Sequence, residues 1–162
     1  MTAQRRELIV WCRGFALIAL LAVAPALSWA ATTERVVVDR FTGLAIAGFD
    51  PVAYFTDARP LPGDAAYELS EEGVVWRFRN ERNRASFAAN PEIYGPQFGG
   101  YDPIDVARGV AYPGNPQFWL VFDQRLYLFG RAESRDAFAA APASVLEAAR
   151  KRWTALQSEL SQ

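Results

Sequence analysis

The clearest hydrophobic pattern in the chain is a short alternation. Val74, Trp76 and Phe78 fall on one side, with Val75, Arg77 and Arg79 on the other, which predicts a strand with one buried face. A polar-to-Ala-rich stretch follows and closes at Pro91, as a short helix would. The segment then recurs. Val75 through Pro91 can be laid on Leu126 through Pro142 without a gap, at an offset of 51 residues. Phe78 meets Phe129, Arg84 meets Arg135, and Phe87-Ala88-Ala89 meets Phe138-Ala139-Ala140. Upstream, Tyr67-Glu68-Leu69 aligns with Phe118-Trp119-Leu120, and the polar Glu71-Glu72-Gly73 with Phe122-Asp123-Gln124. A register kept through strand, turn, strand and helix predicts a structural repeat.

Around the repeat the pattern is less regular. The β-branched run Val36-Val37-Val38 predicts a first strand or extended lead-in, and Leu44 to Phe49 a second extended piece. Asp50-Pro51 before Val52-Ala53-Tyr54-Phe55 has the form of a helix start, with Asp as cap and Pro as first helical residue. Asp57 to Gly63, with Pro60 and Pro62, is a loop. Ser144-Val145-Leu146-Glu147 has the form of a capping box. Beyond it Leu146, Ala149, Trp153, Leu156 and Leu160 repeat at helical spacing, as a buried stripe does. Two hairpins, each followed by a helix, and a C-terminal amphipathic helix make an α+β domain, with an antiparallel sheet of four or so strands expected.

Composition adds a compartment. Arg5, Arg6 and Arg13 precede the apolar run Phe15 to Leu27, and Ser28-Trp29-Ala30 supplies small residues for cleavage after Ala30. Residues 1–30 are therefore expected to be a signal peptide and residues 31–162 a single periplasmic or secreted domain, with an uncleaved signal anchor as the only membrane attachment. The full chain carries a net charge of −1. Removing Arg5, Arg6, Arg13 and Glu7 takes it to −3, with no basic tract for a nucleic acid backbone. The single Cys, Cys12, leaves with the signal, and the chain contains no His.

Gly48-Phe49-Asp50-Pro51-Val52-Ala53-Tyr54-Phe55 resembles the Gly-Tyr-Asp-Pro-Val-Ala-Tyr-Phe signature of exported YHS-domain proteins. Val75-Trp76-Arg77-Phe78, Asn90-Pro91, Tyr94-x-Pro96-Gln97-Phe98-Gly99-Gly100-Tyr101, Leu126-Tyr127-Leu128 and Trp153 continue the resemblance in order. It spans roughly Gly43 to Trp153 and implies a small α+β domain. It also implies a link to heavy-metal binding, since the wider family appears in or beside copper-handling and oxygenase proteins. Many exported members have Cys directly after Gly-Gly-Tyr; here that position is Asp102.

The candidate chemistry gathers between Tyr94 and Gly109. As an N-cap, Asp102 would precede Pro103 at the first helical position and Asp105 in the first turn. As hard oxygen ligands, Asp102 and Asp105 would suit a divalent ion such as Ca²⁺, Mg²⁺ or Mn²⁺, with Asp50 or Asp123 near by. Gly99-Gly100 predicts a tight turn with positive φ. Tyr94, Phe98, Tyr101, Tyr112, Phe118 and Trp119 crowd this stretch, with Tyr54 and Phe55 expected close. They fit either a core or an aromatic pocket, in which Arg108 or Arg77 would anchor an acid. No catalytic constellation is visible. The expectation is a non-enzymatic YHS-like module without a cofactor, engaging a protein partner or small ligand through Tyr54, Phe98, Gly99, Gly100, Tyr101 and Arg108. The alternative is a metal-handling protein built on Asp102 and Asp105.

Overall fold

Residues 35–160 are described by the structure, a computed structural model. The expected signal peptide and its cleavage site lie outside them. The described chain runs α1 (Ala53–Thr56), β1 (Asp64–Glu71), β2 (Val74–Phe78), α2 (Glu81–Ala89), α3 (Pro91–Tyr94), α4 (Pro103–Ala107), β3 (Asn115–Phe122), β4 (Arg125–Phe129), α5 (Ala132–Ala140) and α6 (Pro142–Glu159). It is an α+β fold in which each antiparallel hairpin is followed by helices. Among the described residues no helix is long and apolar enough to cross a membrane.

The repeat in the sequence is a repeat in the fold. β1 and β3 begin at 64 and 115, β2 and β4 at 74 and 125, α2 and α5 at 81 and 132. Both hairpins carry a register shift at the same place, between Asp64 and Glu68 and between Asn115 and Trp119. The duplication also reaches further upstream than the sequence alignment did. The bridge of Phe49 to Pro62 is matched by Tyr101 to Pro113, and that of Leu44 to Val75 by Pro96 to Leu126. Gly63 N–H donates to Gly48 O at 2.9 Å, and Gly114 N–H to Gly100 O at 2.9 Å. Asp50 and Asp102 stand 52 apart but Gly63 and Gly114 only 51, so the second copy is one residue shorter in the intervening loop. That single deletion hides the upstream half of the repeat from a gapless comparison.

Four expectations are corrected. α1 begins at Ala53 with Val52 as its N-cap, not at Pro51; residues 51 and 52 form a turn, held by Val52 N–H donating to Asp50 Oδ1 at 2.8 Å. The hairpins form two separate two-stranded sheets, not one sheet of four. Leu44 to Phe49 is extended only at its start, because Ile46, Ala47 and Gly48 take left-handed φ values of 43°, 54° and 76°. Two backbone bonds hold them there, Ile46 N–H to Val37 O at 3.0 Å and Gly63 N–H to Gly48 O, and tertiary pairing outweighs the β preference of Ile. Last, Ser144 is not a cap. α6 starts at Pro142, Ser144 Oγ donates back to Ala141 O at 3.1 Å, and Glu147 pairs with Lys151 at 2.7 Å. The remaining expectations for this helix hold, with Leu146, Ala149 and Leu156 buried and Trp153 and Leu160 packed at the edge.

The core follows the duplication. In the first copy Phe87 of α2 packs on Trp76 and Phe78 of β2, at centroid distances of 4.8 and 5.2 Å. In the second, Phe138 of α5 packs on Tyr127 and Phe129 of β4, at 5.0 and 5.3 Å. β4 is buried on both faces, since Leu126 and Leu128 join the cluster of the first copy. β2 has only one fully buried face, and Arg77 on the other pairs with Glu68 at 2.7 Å.

Candidate functional site

Asp50 and Asp102 are both 0% exposed, and each ties a short helix to the hairpin that follows it. Asp102 caps α4, accepting from Ile104 N–H at 2.9 Å through Oδ1 and from Gly130 N–H at 2.9 Å through Oδ2. Pro103 is the first helical residue, as the cap role requires. Asp50 accepts from Val52 N–H at 2.8 Å through Oδ1. Through Oδ2 it accepts from Arg79 N–H at 2.8 Å and the Asn83 amide at 2.6 Å. Residues 79 and 130, and 83 and 134, are equivalent. Ser134 stands where Asn83 stands, and its buried hydroxyl has no hydrogen-bond partner.

Asp105 is 7% exposed and held by arginines. Arg131 Nη2 donates to Oδ1 at 3.3 Å and Arg108 Nη1 to the same atom at 3.4 Å. Arg131 Nη1 lies 3.2 Å from Oδ2, an ion pair whose angle is not that of a hydrogen bond, so Oδ2 accepts none. The hydrogen bond to Asp105 raises the pKa of Arg131, and its guanidinium also sits 5.6 Å above the Tyr112 ring. Both oxygens of Asp102 are thus taken by backbone donors and Asp105 by two guanidinium groups. This donor set does not fit a divalent ion. Among the described residues no group of three or more Asp, Glu, Cys or His is placed to hold a metal.

The aromatic residues expected around Gly99-Gly100 divide between separate clusters. Tyr54 is 2% exposed, donates from its hydroxyl to Pro116 O at 3.0 Å and packs edge-on against Trp119 at 5.2 Å. Phe55 meets Tyr94 at 5.2 Å. Phe98 and Tyr101 pack instead on Trp153 of α6, at 5.7 and 6.1 Å. Gly100 is buried, and Arg108 lies at the surface with Asp105. Tyr54, Phe98, Gly100, Tyr101 and Arg108 are not among the described residues that line the cleft beside Gly99. Gly99 does line it, and the turn is left-handed there as expected, with φ of 62° and then 88° at Gly100. A Cβ on Gly99 would collide with the backbone oxygen of Arg35, so Gly lets the lead-in segment lie against the loop. Val37 N–H donates to Gly99 O at 2.8 Å in the same contact.

The cleft beside Gly99 has a volume of about 260 Å³. Trp76, Phe87 and Trp153 form its aromatic lining, and Glu71, Glu72 and Glu92 its acidic part. Trp76 is 3% exposed, and its indole N–H has no acceptor. Such buried orphans are few in a folded protein.

Among the described residues, two positions of the second copy differ from those that line this cleft in the first. Phe122, the equivalent of Glu71, packs edge-on against Phe138 at 6.0 Å. Leu146, the equivalent of Gly95, is 5% exposed and belongs to the same cluster. Glu71 and Gly95 both line the cleft. At Gly95 the chain turns extended, with ψ of 141°, and ends α3 after four residues, whereas α6 runs on for 18. Trp76, Phe87 and Trp153 were legible only as core residues. The signal that would have found the cleft is the mismatch of Glu71 with Phe122 inside an otherwise matching repeat.

No family model, characterised protein or solved structure matches the chain.

Proposed function

We propose that the protein is a non-enzymatic binding module, YHS-like in its sequence motifs, that takes a small ligand in the cleft between the first hairpin, α3 and α6. The observation that carries this reading is the cleft bordered by Glu71 and Gly95 where the second copy has Phe122 and Leu146. A concave site with apolar walls and a few polar groups is the usual form of a ligand pocket. At about 260 Å³ it lies below the range of about 300–1,000 Å³ for drug-sized ligands, so its occupant is small.

The test is a ligand-detected NMR screen of small neutral, cationic and anionic compounds against the full chain and a Glu71→Phe variant. Compounds that bind the parent and are lost from the variant support the site. Binding that survives the substitution unchanged, or no binding at all, contradicts it.

A further inference from the structure

Resting on the assignment of the cleft as a binding site, we infer that its ligand is a small organic cation, an alkylammonium or quaternary ammonium ion. Three observations converge on that chemistry. Glu71 and Glu72 at the tip of the first hairpin and Glu92 on α3 put three carboxyl side chains around one cleft. None of the three pairs with a basic side chain among the described residues, while Glu68, Glu81 and Glu147 all do. Arg35 also lines the cleft, so its one guanidinium stands against three carboxyl groups.

The second observation is the walls. Trp153, half-buried, is of the aromatic type whose face attracts a cation most strongly, and a partly desolvated site enlarges the effect. The third is the arrangement of the carboxyl groups. They surround the cleft without forming a cluster able to hold a metal, which favours a cation with an organic body over a bare ion.

The comparison of the two copies gives this a structural logic. At one position the second copy has Phe122 and the first copy Glu71. The same exchange removes apolar cover and supplies charge.

The experiment is a titration of the full chain, followed by tryptophan fluorescence and by ligand NMR, with choline and with its uncharged carbon isostere dimethylbutanol. n-Butylammonium and butanol form a second pair. Each cation is expected to bind about tenfold more tightly than its neutral partner, the ratio that about 1.4 kcal/mol provides. The preference should shrink as ionic strength rises from about 0.01 to about 0.15 M. Glu71→Gln and Glu92→Gln should each lower cation affinity several-fold and leave the neutral compounds unchanged, with the melting temperature confirming that both variants fold. Equal binding within each pair overturns the cation assignment; if Glu71→Phe then abolishes both, the cleft itself stands. Anionic or neutral hits from the broader screen with no cationic ones also overturn it. Absence of binding by either cation overturns it as well.

Discussion

The two halves of this domain share a scaffold and differ in how it is finished. Each has a left-handed turn, a buried Asp, a short helix, a hairpin with the same register shift and an aromatic trio of matching geometry. In the second copy Phe122, itself 37% exposed, and the buried Leu146 stand where the first copy has Glu71 and Gly95 beside its cleft. What is common to the copies is the part that folds the chain. What differs is the surface around Glu71 and Gly95, where the binding site is proposed. Asp102 serves as a cap in the shared part, while Glu71, at the end of β1, borders the cleft.

The shared part should break most severely. Asp50→Ala removes a buried acceptor of three short hydrogen bonds and is expected to cost about 4 kcal/mol. Asp102→Ala, with two, should cost about 2–3 kcal/mol. Chemical denaturation of both variants measures the gap, and a larger loss at Asp102 would contradict the account. The difference between copies should recur one step out. Asn83→Ala leaves an oxygen of Asp50 with one donor fewer and should cost about 1–2 kcal/mol. Ser134→Ala should be neutral or slightly stabilising, because that hydroxyl is buried without a partner.

Alkaline pH should single out the first copy. Burial, and then the charge of Asp50, push the Tyr54 hydroxyl well above its ordinary value of 10.0. A group that ionises later in the folded state than in the unfolded one keeps its full contribution below pH 10 and loses it above. Stability should therefore fall by about 1.4 kcal/mol per pH unit above 10 on account of Tyr54. Tyr127 shifts in the same direction through burial, but Arg150 opposes the shift, so its share is smaller. Tyr54→Phe lacks the hydrogen bond to Pro116 and should be less stable at neutral pH by about 1 kcal/mol. Its melting temperature should also be flatter against pH between about 10 and 12 than that of the parent. An unchanged slope would refute this assignment.

The smallest expected effect is also the most informative about the cleft. Glu71→Phe copies Phe122 at a site with the same strand register, Glu71 opposite Val74 and Phe122 opposite Arg125. The new ring should stabilise the fold by about 1 kcal/mol through packing on Phe87. The reverse change, Phe122→Glu, should destabilise by a similar amount. A loss of stability in Glu71→Phe would mean that the copies are less alike at this point than their backbones indicate.

Much of the scaffold could be read from residue order, because hairpins and caps are local. Alternation in Val74 to Arg79 and the Asp102-Pro103 pair each specify structure over a few residues, and both hold, whereas at Asp50-Pro51 the helix begins only at Ala53. The left-handed turn at Ile46-Ala47 could not be read this way, since it contradicts local preference and depends on hydrogen bonds to Val37 and Gly63. The start of α6 was misplaced because two signals compete, and Pro142 wins over the Ser144-to-Glu147 pattern. The cleft was hidden for a different reason. Its walls come from three distant segments, and Trp76, Phe87 and Trp153 look like core residues in any one of them. Only comparison of equivalent positions separates a covered aromatic cluster from one bordered by a glutamate.

The central claim is that the first copy is open for binding and the second is closed. Its most direct test is the small-molecule NMR screen carried out on the parent chain and Glu71→Phe side by side. The account predicts ligands that bind the parent, fail to bind Glu71→Phe, and contact Trp76 or Trp153, while the variant melts at the same or a higher temperature. Ligands that bind both proteins equally, or a parent chain that binds nothing, would contradict it.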